Sequence, residues 1–333
     1  MRALVTGGGG FLGRAVVEQL LERGDQVRIL ARGSYPDLEA SGVECQRGDI
    51  RELESIDRAC AGVDVVFHTA AIAGIWGPWR EFYEINVLGT FNVISACRKQ
   101  GVRRLVFTSS PSVTFDGSPQ EGVDESVPYP RRWLCHYQRT KAEAEQAVLK
   151  ASGAGLLACA LRPHLIWGPG DPHLLPRLLD RARTGHLRRV GTGDNLVDTI
   201  YVANAARAHI QAADVLKPGS PVAGRAYFIS QGEPVNCWEW IDELVALHGL
   251  PHVERTISLK AAWRIGAVLE TVHRVLAVGR EPRMTRFLAA QLGTSHYFDI
   301  SRARMDFGYV PLVSMADGMR RLRDRTRSRQ IAG

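Results

Sequence analysis

The chain has 333 residues, of which 45% are hydrophobic and 23% charged, with a net charge of +7. This is the mixture of a globular protein with ample core, not of a disordered or fibrous chain. Six arginines between residues 320 and 329 stand against Asp324 and carry most of that charge, which reads as a solvated helix end complementing its dipole and gives no reason to expect nucleic acid as a partner.

Ala3-Leu4-Val5 predicts a short buried strand, and Phe11, Leu12, Val16, Val17, Leu20 and Leu21 recur at helical spacing up to Gly24. Between them, Thr6-Gly7-Gly8-Gly9-Gly10-Phe11-Leu12-Gly13 forms a strand-to-helix glycine turn. Gly7 permits the tight turn, Gly10 lets the backbone approach a pyrophosphate, and Gly13 lets the helix lie close on the strand. The helix N-terminus offers unpaired N–H groups to phosphate. A nicotinamide dinucleotide is the first expectation. The second strand, Gln26 to Leu30, is followed by Ala31 and Arg32, where a cofactor with a bare ribose would meet an acid. A guanidinium suits a 2′-phosphate, so Arg32 favours NADPH over NADH; the alternative is a solvated loop arginine.

Val43 to Gly48 predicts a third strand ending at Asp49-Ile50, where the acid could take the adenine amino group or cap a helix. Val63 to His68 predicts a fourth, running into Thr69-Ala70-Ala71, whose small side chains suit a cofactor lying across the strand end. A helix with Phe82, Ile85, Leu88, Val93 and Ile94 as its apolar face comes next. Arg104 to Thr108 predicts the fifth strand, ending in Ser109-Ser110. Alternating strands and helices predict a doubly wound parallel α/β sheet of Rossmann type.

Tyr137-Gln138-Arg139-Thr140-Lys141 opens a further helix, and the four-residue spacing puts the Tyr137 phenol and the Lys141 ammonium on one face. A nearby cation lowers a phenol's pKa, so Tyr137 could exchange a proton with a carbonyl oxygen while Ser110 holds that oxygen. Asn86 is either part of this network or a helix-surface amide.

The conjunction resembles the extended short-chain dehydrogenase/reductases. The matching pieces are the glycine turn, Gly48-Asp49-Ile50, His68-Thr69-Ala70-Ala71, Asn86-Val87-x-Gly89-Thr90, Thr108-Ser109-Ser110, Tyr137 to Lys141, Arg162-Pro163 and Val197 to Val202. The resemblance implies a catalytic set of Ser110, Tyr137 and Lys141, with Asn86 in their hydrogen-bond network and Pro163 meeting the nicotinamide. Ser110-Pro111-Ser112 lacks the Asp-Glu pair of sugar-nucleotide dehydratases, and Leu165 stands where galactose epimerases carry an asparagine. Longer matches, at Arg32 to Leu38, Leu161 to His173 and Ile229 to Pro234, resemble the 3β-hydroxysteroid dehydrogenase branch. Within it they look like the bacterial reductases of long-chain olefin biosynthesis that act on 2-alkyl-3-oxo acids. This resemblance implies reversible NADPH-dependent reduction of the 3-keto group to the 3-hydroxy acid. The same branch implies the alternative of a 3β-hydroxysteroid or sterol-4α-carboxylate dehydrogenase; a non-catalytic NADP-binding sensor or scaffold is the alternative of another class.

Trp76, Trp79, Trp133 and Trp167 flank predicted strand ends and suit a large apolar substrate, or else fill core. His164 joins that candidate pocket; it, His173, Arg131 and Arg132 are open candidates for a substrate carboxylate. Leu259 to Val278 predicts a helix with Ala262, Ile265, Leu269, Val272 and Leu276 as its apolar face, packed, covering the substrate, or resting on a membrane surface. A dinucleotide-binding domain is expected over 1–166, with 191–230 returning to it, and a mostly helical substrate-binding region over 167–190 and 231–333. The six cysteines form no C-x-x-C pair and no signal peptide precedes the first strand, which predicts a cytoplasmic protein. His248 and His252 are separated by the helix breakers Gly249 and Pro251, so no metal site is expected. A homo-oligomer is expected, and the resemblance adds assembly with other olefin-pathway enzymes.

Overall fold

The computed structural model describes residues 1–153 and 155–331, with side chains through residue 327. Arg329 of the basic C-terminal run thus has its side chain outside the described residues. Seven strands form the central sheet: β1 (Arg2–Thr6), β2 (Gln26–Ala31), β3 (Glu44–Arg47), β4 (Val65–His68), β5 (Arg104–Thr108), β6 (Leu157–Pro163) and β7 (Ala226–Ile229). They are all parallel, in the order β7-β6-β5-β4-β1-β2-β3. Chain order reverses between β1 and β4, which opens a crevice beyond their carboxyl ends. Ala3, Leu4 and Val5 are wholly buried, as a strand covered on both faces requires.

Six of the helices frame the site: α1 (Phe11–Glu22), α2 (Gly89–Lys99), α3 (His136–Ala151), α4 (Leu174–Arg183), α5 (Val202–Val215) and α6 (Leu259–Val275). Val16, Val17 and Leu20 of α1 and Ala205, Ala208 and Ala212 of α5 fill the core on one face of the sheet. Val93 and Ile94 of α2 and Ala144 and Val148 of α3 fill it on the other. A second, four-stranded sheet joins Val235–Asn236, Leu196–Val197, His296–Phe298 and Gln120–Val123, so a segment following β5 pairs directly with one from near the C-terminus.

Two expected helices differ from their patterns. The helix read through Phe82 and Ile94 is interrupted by a π-helical turn at Tyr83–Leu88. The wider turn changes which way these side chains face, so Leu88 is 41% exposed while Asn86 is buried. In α6, the residues expected to pack inward do not all do so. Ala262, Gly266 and Glu270 form the buried face, whereas Ile265, Val272 and Leu276 are exposed. Gly266 admits the start of the helix Arg286–Gly293 so closely that a Cβ would lie 2.6 Å from the Thr285 carbonyl carbon. Glu270 accepts the Arg286 backbone N–H at 2.6 Å and its guanidinium at 2.8 Å. A close backbone approach and a buried ion pair thus decide the facing.

Another buried ion pair ties α3 to β6. Arg162 donates to Glu145 at 2.6 and 2.9 Å, and the Tyr129 hydroxyl donates to the same carboxylate at 2.7 Å. Removing one partner leaves a buried charge uncompensated. Glu145→Ala should therefore cost about 3–5 kcal/mol of stability, read from the urea midpoint. A loss below about 1 kcal/mol would mean that Arg162 reaches water.

Candidate active site

The glycine turn is built by exclusion. Gly7 has φ +72°, and a Cβ there would lie 2.9 Å from the Ala70 Cα. A Cβ on Gly13 would lie 2.2 Å from the Gly7 carbonyl oxygen. These contacts press the start of α1 against the ends of β1 and β4. Gly9, given no role from sequence, has the Tyr35 ring where its Cβ would be, 2.0 Å away. Gly10 is the N-cap of α1 and has no side chain to cap it. The N–H groups of Phe11, Leu12 and Gly13 have no intrahelical acceptor and face a cavity of about 610 Å³. Arg32, Asp49, Ile50, Ala70, Ala71 and Pro163 line the same cavity. The unpaired donors and the absence of Cβ atoms fit the pyrophosphate of a nicotinamide dinucleotide.

The structure separates the two arginines of the β2 region. Arg32 is exposed at the cavity and, among the described residues, forms no ion pair. Arg28 is turned away. It donates to the Ala59 and Ala61 carbonyls at 2.7 and 2.9 Å and pairs with Glu44, because the end of a helix supplies acceptors there. It cannot support Arg32. The Asp49 carboxylate accepts the Arg51 side chain at 2.7 Å and the Arg51 N–H at 2.9 Å, which lower its pKa; Glu52, not Asp49, precedes the helix Leu53–Cys60.

Ser110, Tyr137 and Lys141 meet at the carboxyl end of β5. The Lys141 ammonium donates to the Thr108 carbonyl at 2.5 Å and lies 4.0 Å above the Phe107 ring. Burial pulls its pKa down to about 7. Burial pushes Tyr137 up to about 12, against an opposing hydrogen bond with Ser110. The expected lowering of the phenol by Lys141 is therefore not what the structure gives. The ammonium is engaged by the strand carbonyl and itself easily discharged, and desolvation of the phenol dominates. Ser110 Oγ accepts the Ser112 N–H at 3.2 Å and the Ser112 hydroxyl at 2.9 Å, which leaves its own O–H to donate.

Two amides hold this arrangement. Gln138 donates to the Ser112 and Phe115 carbonyls at 3.1 and 2.9 Å and accepts the Leu134 N–H at 2.9 Å, locking the Ser110 turn to the start of α3. Asn86 accepts the Ile72 N–H at 2.9 Å and donates to Ile72 and Thr140, so it is buried rather than a surface amide. Sequence reading gave Gln138 no role. His209 of α5, also unassigned, donates through Nδ1 to the Ala205 carbonyl and so accepts the Thr108 hydroxyl at 2.8 Å.

A second cavity, of about 260 Å³, shares Ala73, Ser110, Tyr137, Leu165 and Leu174 with the first. Leu165, at that junction, has a left-handed backbone with φ +43°. Leu178, Trp240, Ile241, Phe287 and Leu292 make its apolar walls. None of the four expected indoles lines it. Trp167 is buried in the core against Tyr201 and Trp240, with its N–H on Thr199. Trp76 packs on His273 and donates to the Val278 carbonyl; Trp79 packs on Tyr83 and His136; Trp133 is half-buried. Each of the first three finds a packing partner at hand, and Trp240, from a helix that sequence did not connect to the site, takes the wall instead.

His164 does line the second cavity, paired with His296, a residue not anticipated. His296 Nε2 lies 2.7 Å from the Gln291 carbonyl and must donate to it, so its Nδ1 accepts from His164 Nε2 at 2.7 Å. Burial holds both rings far below the usual histidine range, His296 at about 4. His164 Nδ1 is then a neutral acceptor. Of the other carboxylate candidates, His173 lines the dinucleotide cavity, and Arg131 and Arg132 are exposed and line neither. Arg177 and Arg181, paired with Glu281, stand in the apolar cavity in their place.

The chain matches the 3-beta hydroxysteroid dehydrogenase/isomerase family over residues 4–260. It belongs to that family. It is 51% identical to the 2-alkyl-3-oxoalkanoate reductase of Stenotrophomonas maltophilia, covering 97% of this chain and 98% of that protein. It is 48% identical to the protein of the same name from Shewanella oneidensis, covering 96% and 85%. Among solved structures it resembles MoeE5 in complex with UDP-glucose and NAD, with a TM-score of 0.75 and 26% identity over 99% of this chain and all of that one.

Folded Lys141 holds its proton to about pH 7, against 10.5 ordinarily. Between those values the unfolded chain binds more protons, so this group makes stability rise with pH. The ligand-free Lys141→Met variant should gain on wild type at low pH, its stability relative to wild type falling by on the order of 4 kcal/mol between about pH 6 and about pH 10. Urea unfolding of both proteins at the two pH values measures it. A gap independent of pH would mean that the ammonium is not desolvated.

Proposed function

We propose that this protein is an NADPH-dependent reductase of the 3-keto group of long-chain 2-alkyl-3-oxoalkanoic acids, forming the 2-alkyl-3-hydroxy acids in olefin hydrocarbon biosynthesis. One observation carries the reading. Ser110 and Tyr137 stand in the wall common to a dinucleotide cavity and an apolar one. The two 2-alkyl-3-oxoalkanoate reductases support the substrate class. All six cysteines are free thiols, which suits a cytoplasmic enzyme.

The glycine turn would hold the pyrophosphate, Asp49 and Ile50 the adenine end, Lys141 the nicotinamide ribose, and Pro163 with Ala71 the ring. When bound, the reduced nicotinamide supplies a hydride. Ser110, whose O–H meets Tyr137 in the ligand-free site, turns that donor to the substrate carbonyl oxygen and fixes its position. Tyr137, kept protonated at neutral pH by burial, transfers its phenolic proton to that oxygen. Apolar walls take the alkyl chains and keep water from the reacting carbon.

Tyr137→Phe should lower kcat by about 10² to 10⁴ and leave NADPH affinity nearly intact. NADPH oxidation with a 2-alkyl-3-oxo acid, run beside a 3-ketosteroid, tests both residue and substrate. Wild-type kcat in the variant, or turnover of the steroid alone, would overturn the assignment.

Arg32 supports the preference for NADPH. A charge-assisted contact to a phosphate contributes roughly 1.5–3 kcal/mol, which is about 10- to 100-fold in affinity. Arg32→Ala should raise KM for NADPH by that factor and change little for NADH, since the phosphate is held alike in ground and transition states. Arg32→Asp should go further by repelling the phosphate. Steady-state kinetics with both cofactors decide; equal kcat/KM for NADH and NADPH in wild type would leave Arg32 facing solvent only.

A further inference from the structure

Helix α6 leaves an apolar stripe in solvent. Ile265, Val268, Val272 and Val275 recur at three- and four-residue spacing and are 42–77% exposed, and Leu276 and Val278 continue the stripe past the helix end. Such a contiguous face marks a surface that meets something apolar. Within the segment itself the exposed charges are of one sign, with the exposed Asp180 of α4 lying beside Arg280 and Arg283. Between residues 259 and 283 the exposed charged side chains are Lys260, Arg264, Arg274, Arg280 and Arg283. The two acids of that span are withdrawn: Glu270 is buried on Arg286, and Glu281 is paired with Arg177 and Arg181. An apolar stripe bordered by exposed cations, of which Arg274 reaches Glu270 at 3.6 Å, is the pattern of a helix seated at a lipid–water interface. No helix among the described residues is long and apolar enough to cross a membrane, so the contact would be peripheral.

Its position gives the stripe a use. Arg177, Arg181 and Glu281 line the apolar cavity that reaches Tyr137, and they also line a surface pocket with Arg280 and Arg283. The cavity therefore approaches the surface beside the basic turn at the end of α6.

We propose that the outer face of α6 and the turn after it dock on an anionic lipid surface, presenting the mouth of the apolar cavity to the bilayer. Long-chain substrate then enters from the lipid phase without crossing water. The docking stands on the surface itself; the entry route rests on the proposed reductase function.

Co-sedimentation with vesicles of one part phosphatidylglycerol to three parts phosphatidylcholine tests it. Each basic residue near an anionic surface strengthens binding about fivefold. The full chain should bind these vesicles at least about tenfold more tightly than pure phosphatidylcholine, and less tightly as salt is added. Arg264→Gln with Arg280→Gln and Arg283→Gln should weaken binding about 100-fold. Val268→Ser with Val272→Ser should weaken it about tenfold while leaving turnover of a short, water-soluble 3-oxo acid unchanged. Tyr137→Phe should sediment like wild type, so a failed reductase reading and a failed docking give different results. Binding that is absent, indifferent to lipid charge or unchanged in both surface variants overturns the proposal. So does light scattering in which Val268→Asp with Val272→Asp splits an oligomer while vesicles go unbound, since the stripe is then a subunit interface.

Discussion

Burial of an ammonium group at the end of β5 is the constraint around which the site is arranged. Lys141 is 3% exposed, and its Nζ reaches the Thr108 carbonyl from α3. That contact fixes how far α3 can slide along the sheet, and with it the phenol one turn earlier. Desolvating a lysine without a carboxylate at hydrogen-bond distance is unfavourable for the folded state. Burial draws its pKa down to about 7, as the proposed role beside the cofactor would use.

The neighbouring polar groups are satisfied in a way that leaves particular atoms free. Gln138 spends its amide on the Ser110 turn and the α3 start, so these two parts of the site move together. Asn86 ties the loop after β4 to α3 through Ile72 and Thr140. It can do so only because the π turn rotates it inward, a wide turn of the kind often found at functional sites. With both acceptor positions of Ser110 Oγ filled by Ser112, its hydrogen is the atom left to meet Tyr137.

The sequence was most informative where one residue type alone satisfies a local requirement. Gly7 and Gly13 could be read because nothing with a Cβ fits there. Tyr137 and Lys141 could be read because helical spacing is short-range geometry. The indoles could not, because proximity to a strand end does not say which way a side chain turns. Trp167 turns into the core and Trp240 reaches the cavity from a helix far along the chain. His296 is brought to His164 by the pairing of His296–Phe298 with Gln120–Val123, and no local pattern announces that contact. Arg28 and Arg32 carry the same charge four residues apart, but only the first finds the end of a helix. Periodicity in α6 identified a helix but not its buried side, because glycine and an ion pair outweighed the valines there.

The ionisation states of the ligand-free site favour the phenol over the phenolate. Tyr137 is desolvated and protonated, so at neutral pH it is ready to give a proton and reluctant to take one. Lys141, near 7, does little to favour the phenolate as the ligand-free site stands. Oxidation of an alcohol needs the phenolate first, at a cost of about 1.4 kcal/mol for every unit by which the phenol's pKa exceeds the pH. Reduction of a ketone needs only the phenol already present. The histidine pair is uncharged as well. His164 lines the apolar cavity as a neutral ring whose Nε2 is held by His296, which leaves its Nδ1 without a proton. In the proposed reaction a ketone at the wall common to both cavities would meet the hydroxyls of Ser110 and Tyr137, and the neutral histidine pair adds no charge to that cavity.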